Sequence, residues 1–398
     1  MSIFILSSTL NYLDRNLLSL LAPLVMASLH FNQTQYGLLI SMFSITYAVS
    51  SLFTGWLLDR IGINRTISGA VGWWSIAAIG HGLIRSFGGL AFWRATLGVG
   101  ESAGVAAVGK LNGIYLKPEE RALGAAANQI GLSLASVIGP LWIGYAVTHS
   151  WREPFIVNGA LGLIWIPVWL AVNRLIPAHY RNSEIAASAS DTSPGGFHML
   201  RDRNLLILAA ANVLWMTAYS LWSNWLTLYL IHVHKLTLPQ TAYYVWIPPL
   251  ISNIGGFFGG WLSLRWMRKN MGMLRARRNA VWVSAFGSLL SLLLPLAPNA
   301  VWATTLISLS YFFVLAGSVN IYALPIDIFG PQRAGFALAV LTFAFGIMQT
   351  AISPIIGKLG DLNLYSQVGW IATVPLLLSA WVLMGCKMAA NTEPGSTR

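Results

Sequence analysis

Four ionisable residues interrupt two of the most apolar stretches of this sequence. Asp14 and Arg15 lie in NYLDRNLLSLLAP, and Arg94 and Glu101 lie in FWRATLGVGESAG. Seven residues make almost two helical turns, so Arg94 and Glu101 leave the same face of a helix, roughly 10 Å apart along its axis. A charge at the middle of a bilayer costs at least ~2.5–3.5 kcal/mol, so such side chains usually face a protein interior or a water-filled path. The pattern therefore predicts an internal charged site.

The charges of these four residues balance, and this balance suggests what the site does. The site is neutral when all four are ionised, becomes −1 when a carboxylate enters, and is neutral again when one acid takes up a proton. We predict that Glu101 carries the coupled proton, and that Asp14 pairs with Arg94 until Asp14 is protonated. Arg15 is predicted to bind the substrate carboxylate, because a guanidinium can hold a carboxylate through two hydrogen bonds. The alternative is a set of structural ion pairs, for which apolar packing would be a cheaper substitute.

The composition places these residues in a membrane protein. Hydrophobic residues make up 56% of the 398 positions and charged residues only 9%, whereas soluble domains average about 25% charged residues. Most lysines and arginines fall in alternate loops, so the net charge of +12 marks the cytoplasmic side and does not indicate a nucleic-acid partner. We expect a multi-pass protein of the inner (plasma) membrane, with both termini cytoplasmic. The lone Cys386 excludes an internal disulfide.

Apolar runs of about 20 residues predict twelve spans. They lie at 3–29, 35–58, 66–85, 89–113, 122–147, 153–175, 204–231, 239–266, 279–297, 300–326, 334–357 and 364–386. We predict an all-α membrane protein with two pseudo-symmetric six-helix halves, residues 1–176 and 204–388. A cytoplasmic linker is expected at 177–203 and a cytoplasmic tail at 389–398. Two such halves describe the major facilitator arrangement, in which substrate binds between them near mid-membrane.

Several uncharged polar or aromatic residues inside the spans are candidates for the substrate-binding surface. Aromatic rings beside hydrogen-bonding groups suit a polyhydroxylated substrate. The alternative for every candidate, and above all for Trp225, is that the side chain simply packs in the protein interior. These candidates are Tyr47 in span two, Gln129 in span five, Asn224 and Trp225 in span seven, and Gln349 in span eleven.

The connection after span two carries a second kind of motif, GWLLDRIG. Gly55, Asp59 and Arg60 are predicted to form a gating loop, in which Asp59 accepts hydrogen bonds from the opposite half in one state only. The alternative is a charged cytoplasmic turn with no role in gating. The G-x-x-x-x-G-K pattern ending at Lys110 has leucine where a P-loop needs Ser or Thr, so ATP is not expected. With no metal-ligand cluster either, we expect no cofactor other than the coupling proton.

The chain resembles the anion:cation symporter family of the major facilitator superfamily, which includes bacterial hexuronate and sugar-acid transporters, sialin and vesicular glutamate transporters. The matching stretches are NYLDR, GWLLDRIG, FWRATLGVGESAG, KPEERALGAAANQIGLSLASVIGP, WREPFIVNGALGLIWIPVW and SPIIGKLGD. The resemblance implies that Asp14 and Glu101 are protonatable acids, that Arg15 binds carboxylate and that Tyr47 contacts substrate. It also implies that Arg94 is the partner of Asp14. Span eleven departs from the pattern, because Thr342 and Gln349 stand near positions where sugar-acid members carry asparagines.

We therefore expect a proton-coupled symporter, not an enzyme, that imports a small organic anion by alternating access. A hexuronate or other sugar acid is the first candidate substrate. The alternative is another carboxylate, such as an aromatic acid, an acidic amino acid or a dicarboxylate, with sodium as a second candidate for the coupling ion. The expected partners are this anion and the lipid bilayer, and the expected assembly is a monomer.

Overall fold

A computed structural model describes residues 2–115, 121–175 and 197–387 of the chain. The first six spans consist of eight helices: α1 (Ser2–Leu29), α2 (Gln33–Ile61), α3 (Ile63–Leu83), α4 (Phe87–Glu101), α5 (Ala103–Tyr115), α6 (Arg121–Ile138), α7 (Leu141–Thr148) and α8 (Arg152–Leu175). The last six consist of α9 (Arg203–His234), a short α10 (Leu238–Thr241), α11 (Ile247–Met267), α12 (Met273–Gly287), α13 (Ala300–Phe329), α14 (Pro331–Asp361) and α15 (Val368–Val382). Turns of 3₁₀ helix extend α12 through Leu296 and α15 through Gly385. By length and hydropathy alone, eight segments within the described residues could cross a membrane; the remaining four of the twelve spans are α1, α3, the divided pair α4 and α5, and α11. The predicted all-α fold with twelve spans in two sets of six is confirmed.

Two predicted spans are interrupted rather than continuous. Span four is divided at Ser102 into α4 and α5. The Ser102 hydroxyl donates to the carbonyl of Val99 (2.8 Å), a back-bond that competes with the helical ladder, and glycines on both sides lower the helix propensity. Span five is divided at Gly139 and Pro140, because proline cannot donate the hydrogen bond that would continue α6. The first interruption directly follows Glu101.

Span eight begins later than the sequence suggested. Residues from 239 were expected in this span, but α10 ends at Thr241 and α11 begins at Ile247. Pro248 and Pro249 fall in the first turn of α11, where a missing backbone N–H costs nothing. Of the predicted linker at 177–203, residues 177–196 lie outside the described residues. Phe197–Arg201 forms a 3₁₀ turn, Asp202 caps α9, and Arg203 is the first residue of α9. The predicted tail at 389–398 also lies outside the described residues.

The two halves meet closely along α2 and α14. A Cβ atom on Gly37 would lie 2.4 Å from the carbonyl oxygen of Ser353, and one on Gly357 would lie 2.2 Å from that of Gln33. Such distances are possible only because glycine has no side chain, so these residues let the backbones touch as small residues do at membrane helix interfaces. This contact fixes how the residues of α1, α2 and α4 face those of α9 and α14.

Candidate functional site

An ion pair between Arg15 on α1 and Glu101 at the end of α4 forms the centre of the site. Arg15 donates from Nε (3.0 Å) and Nη2 (2.8 Å) to the same carboxylate oxygen, Oε2 of Glu101. The Glu101 side chain is fully buried, whereas 26% of the Arg15 side chain remains exposed. Arg15 is therefore held on one side and accessible on the other.

Three aromatic rings surround the Arg15 guanidinium. Its carbon lies 5.2 Å from the ring centre of Tyr12, 5.2 Å from that of Phe43 and 4.9 Å from that of Tyr47. Each distance is within the range of a cation–π contact, which strengthens where water is excluded. The rings of Phe43 and Tyr47 stack on each other at 5.7 Å. This aromatic cage positions Arg15 without neutralising it.

The predicted ion pair between Asp14 and Arg94 is wrong for this conformation. Both carboxylate oxygens of Asp14, and Nε and Nη2 of Arg94, are buried without a hydrogen-bond partner among the described residues. Asn158, which lies near Asp14, donates instead to the carbonyl of Leu10 (3.3 Å). The carboxylate that does find a guanidinium is Glu101, because the aromatic cage places Arg15 beside it. Two nitrogen atoms of Arg94 are thus left without a partner among the described residues.

Two neighbouring chambers with shared lining residues lie between the halves. The first, which we call the arginine chamber, has a volume of about 60 Å³ and is lined by Arg15 and Arg94 together with Tyr36, Tyr47, Asn224 and Gln349. The second, the amide chamber, has a volume of about 220 Å³ and is lined by Gln129, Ser136, Trp222, Ser252, Asn253 and Tyr311. Both are lined by Tyr12, Asn16, Ser19, Tyr219 and Ser223. Their combined size approaches the ~300 Å³ at which small-molecule sites begin.

The arginine chamber brings together four of the predicted residues besides Arg15: Tyr47, Arg94, Asn224 and Gln349. Asn224 donates to the carbonyl of Ser220 (2.9 Å), and Gln349 accepts a hydrogen bond from Ser44 (2.9 Å) across the two halves. Gln129 lies in the amide chamber, where its amide donates to Asn253 of the other half. These residues combine charge on one side with uncharged hydrogen-bonding groups on the other.

Trp225 was predicted to line the same surface, and the structure places it elsewhere. Its ring packs edge-on against Tyr36, with the ring centres 5.0 Å apart, and it lines a separate cavity of about 20 Å³. Trp225 therefore supports the chamber wall from behind. Trp222, three residues earlier on α9, lines both this small cavity and the amide chamber, and its Nε1 donates to the Ser310 hydroxyl (2.9 Å).

Asp361, at the end of α14, joins the two halves where α2 begins. Its Oδ1 accepts from the backbone N–H of Gln33 (2.9 Å), and its Oδ2 accepts from the N–H (2.9 Å) and hydroxyl (2.6 Å) of Thr34. Gln33 also donates to the Tyr365 hydroxyl (2.8 Å). We call this group of contacts the α2–α14 seal. It closes the end of the molecule at which α1 ends and α2 begins.

The predicted gating loop is not a loop. Gly55, Asp59 and Arg60 lie in the last turns of α2, which continues to Ile61, and the chain turns at Gly62 alone, with φ of 83°. A helix is favoured because α2 has no proline or left-handed residue before that glycine. The surroundings of the Gly55 and Asp59 side chains lie outside what the structure describes, and Arg60 is exposed at this end. The gating role of the three residues stays a prediction.

Sequence reasoning missed several residues that line both chambers. Tyr12, Asn16 and Ser19 follow one another at intervals of four and three residues, the spacing of one helix face. This polar stripe beside Asp14 and Arg15 was a usable signal. Tyr219 and Ser223 show the same spacing on α9. In contrast, Asp361 ends the SPIIGKLGD stretch, but nothing in the sequence pointed to its contacts with α2.

Comparisons with known proteins agree with this architecture. The sequence model described as Major Facilitator Superfamily matches residues 4–353. A hexuronate transporter of Escherichia coli (strain K12) is 26% identical over 397 residues, covering 95% of this chain and 91% of the relative. A protein named as a probable sulfoacetate transporter of Cupriavidus necator is 28% identical, covering 87% and 83%. Among solved structures, a bacterial homolog of the human lysosomal transporter Spinster superposes with a TM-score of 0.74 at 17% identity, covering 96% and 95%.

Proposed function

We propose that this chain, which belongs to the Major Facilitator Superfamily and is a transporter rather than an enzyme, carries a sugar acid across the membrane together with a proton. The observation that carries the proposal is the Arg15–Glu101 pair at the wall of the arginine chamber. A substrate carboxylate and Glu101 compete for one guanidinium. The two events of binding and proton uptake therefore meet at a single residue.

The coupling follows from this competition. When Glu101 is ionised it occupies Nε and Nη2 of Arg15, so an incoming carboxylate must displace it. Displacement would leave a charged carboxylate buried without a partner, which is strongly unfavourable. Protonation of Glu101 removes that cost and frees the guanidinium fork for the substrate. Proton binding thus favours substrate binding, and the reverse holds by linkage.

The amide chamber supplies the other half of the proposed recognition. Its polar groups are uncharged hydroxyls and amides such as Ser136, Gln129 and Asn253, next to the rings of Tyr219 and Tyr311. The hydroxyl groups of a sugar acid can exchange hydrogen bonds with these hydroxyls and amides. The C–H groups of its carbon skeleton can pack on the tyrosine rings. An anion bound at Arg15 would extend its hydroxylated chain into this larger chamber, which supports a hexuronate as the first candidate.

A second candidate substrate is an anion with two acidic groups. Arg94 lines the same chamber as Arg15, and its Nε and Nη2 are unpaired among the described residues. A dicarboxylate, or an anion with one carboxylate and one sulfonate, would bind both guanidinium groups. The similarity to a probable sulfoacetate transporter supports this second class of substrate.

We place the α2–α14 seal on the outer side of the inner membrane and both termini in the cytoplasm, following the predicted distribution of basic loops. Alternating access would then open this seal while the opposite end closes, with substrate held between the halves. Gly55, Asp59 and Arg60, at the opposite end of α2, keep their proposed role in gating that end.

A ligand screen tests the proposal directly. The purified protein is heated with glucuronate, galacturonate, gluconate, glucarate, sulfoacetate or glucose at pH 5.5 and 7.5, since a ligand that binds only the folded state raises the melting temperature. We expect a hexuronate to stabilise the protein more at pH 5.5 than at 7.5, and glucose, which lacks a carboxylate, to have no effect. Stabilisation by glucose equal to that by glucuronate would overturn the proposal.

A further inference from the structure

A large apolar groove lies on the membrane-facing side of the first half, away from the chambers. It has a volume of about 350 Å³ and is bounded by α2, α3 and the junction of α4 and α5. Its walls are mostly large apolar side chains that the fold leaves exposed, namely Phe53, Leu57, Ile61, Trp73 and Val99. The groove exceeds either chamber in volume, and its exposed apolar lining suits contact with lipid.

The dimensions of the groove match one leaflet of a bilayer. Along α2 it runs from Ser50 to Ile61, about 16 Å at a rise of 1.5 Å per residue. The hydrocarbon core is ~30 Å thick, so this length is close to half of it. Ile61 is the last residue of α2, so the groove runs from the end of that helix toward its middle.

One charged residue lines the groove, and it stands at the mouth. Arg65, in the first turn of α3, is exposed and lies at the end where α2 and α3 connect. The segment from 59 to 65 carries two arginines against one aspartate, a net charge of +1. A guanidinium pairs with a phosphate through parallel hydrogen bonds, and basic residues between membrane helices attract anionic lipid headgroups.

The inner wall of the groove is the interruption that follows Glu101. Gly100, Ser102 and Ala103 line the groove, while Glu101 between them points to Arg15 on the other side of the helix. Whatever fills the groove therefore packs against the helix junction that presents Glu101.

We propose that this groove binds an anionic phospholipid, with one acyl chain between α2, α3 and the α4–α5 junction and the phosphate at Arg65. The bound chain supports the junction from the membrane side and steadies the position of Glu101. This inference does not depend on which anion the protein carries.

The first test separates headgroup from acyl chain. Native mass spectrometry of the full-length protein counts retained lipid after incubation with palmitoyl-oleoyl phosphatidylglycerol or with the same-chain phosphatidylcholine, whose choline cation Arg65 repels. Arg65→Gln should lower the preference for phosphatidylglycerol by roughly ten-fold, the effect of losing one charge-assisted hydrogen bond. Arg268→Gln, at an exposed arginine that ends α11, is the matched control and should leave the preference unchanged. An unchanged preference in Arg65→Gln would overturn the headgroup assignment.

The second test fills the groove. A Cβ on Gly69 would meet no atom within 4 Å, so Gly69→Leu projects into the open groove without displacing protein atoms. It should lower the retention of both lipids, whereas Gly260→Leu, at an equally open glycine of α11 outside the groove, should not. Hydrogen exchange of the amides at 99–103 should slow when phosphatidylglycerol is added to the wild type and not to Gly69→Leu. Equal retention in the two leucine variants, or exchange indifferent to lipid, would refute the site.

Discussion

Thr34, the second residue of α2, gives both its backbone N–H and its hydroxyl to the same atom, Oδ2 of Asp361 in the opposite half, at 2.9 and 2.6 Å. Asp361 thus acts as a capping group for a helix that belongs to the other half of the protein. A carboxylate at a helix N-terminus is favoured both by the unpaired N–H groups and by the helix dipole. In the alternating access proposed above, the halves separate here when this end opens, so the cap would break in that state.

The variant Asp361→Asn should open the α2–α14 seal more often. The asparagine side chain carries no negative charge. Its NH2 group replaces one acceptor oxygen with a donor, which would face the N–H groups of α2. A loss of about 1 kcal/mol, typical of one lost hydrogen bond, shifts the closed-to-open ratio by roughly five-fold. The measurement is the labelling rate of Asn16→Cys, in the chambers, by an impermeant maleimide added from outside, in a Cys386→Ser background.

A matched control exists for this experiment. Asp202 is also a carboxylate at a helix N-terminus, with Oδ1 accepting from the N–H groups of Asn204 (2.8 Å) and Leu205 (3.3 Å), but the helix it caps, α9, belongs to its own half. Asp202→Asn should leave labelling at the wild-type rate. If Asp361→Asn also labels at that rate, the cap does not hold the seal closed.

Steric separation at the seal should act in the same direction. A methyl group in Gly357→Ala would lie 2.2 Å from the carbonyl oxygen of Gln33 and 2.8 Å from Cα of Thr34, and backbone atoms cannot move aside as a side chain end can. We expect faster outside labelling of the same reporter cysteine. Gly335→Ala on the same helix, where a methyl group meets nothing within 4 Å, serves as the control and should behave as wild type.

Removing the charge of Glu101 should uncouple transport from protons. Glu101→Gln keeps the shape of the side chain, but Arg15 no longer faces a competing carboxylate, so substrate should bind with little dependence on pH. In proteoliposomes, an imposed pH gradient should no longer drive accumulation of labelled glucuronate, while exchange of internal for external substrate continues. Glu153→Gln, at a surface carboxylate that bonds Tyr145, should accumulate normally. Gradient-driven accumulation in Glu101→Gln at the wild-type level would remove this residue from the coupling role.

The two arginines of the arginine chamber should not be equivalent. Arg15→Lys retains the charge but loses the planar fork, so a carboxylate bound there should lose ~1.5–3 kcal/mol, or roughly 10- to 100-fold in affinity. Arg94→Lys should cost less for a monoanionic hexuronate and as much for a dianion. Calorimetric titration of both variants with glucuronate and glucarate distinguishes these patterns. A larger loss of glucuronate affinity in Arg94→Lys would exchange the proposed roles.

Much of this architecture could be read from the sequence, because the bilayer imposes strong rules on span length and on buried charge. Twelve apolar runs gave the spans, and ionisable residues within them gave Arg15, Arg94 and Glu101 as neighbours. Which acid meets which arginine could not be read, because it depends on three rings that cage Arg15 from α1 and α2. Residues such as Asp361 were missed because a carboxylate at a span end looks like any solvated charge until the partner helix is known.

The helix interruption at Ser102 illustrates the same limit. Glycines such as those near Glu101 are typical of close packing between membrane helices, and Gly98 does approach α2, where a Cβ would lie 2.4 Å from the carbonyl oxygen of Phe43. The same glycines also lower the helix propensity. Only the structure shows that the close packing occurs at Gly98 and the helix interruption at Ser102. Trp225 was placed wrongly for a related reason, since the adjacent residue Asn224 lines the arginine chamber, whereas Trp225 packs against Tyr36.

The equal numbers of cations and anions on α1 and α4 also determine how the carrier would respond to membrane voltage. A unit charge that crosses a potential of 100 mV gains or loses about 2.3 kcal/mol, but an empty carrier with these four groups ionised carries no net charge through the field. A carrier loaded with one proton and one monoanion is equally indifferent to voltage. Uptake of a hexuronate would then draw on the acidity of the surroundings alone and persist in a depolarised cell, whereas a dianion would need a second proton to cross without electrical work.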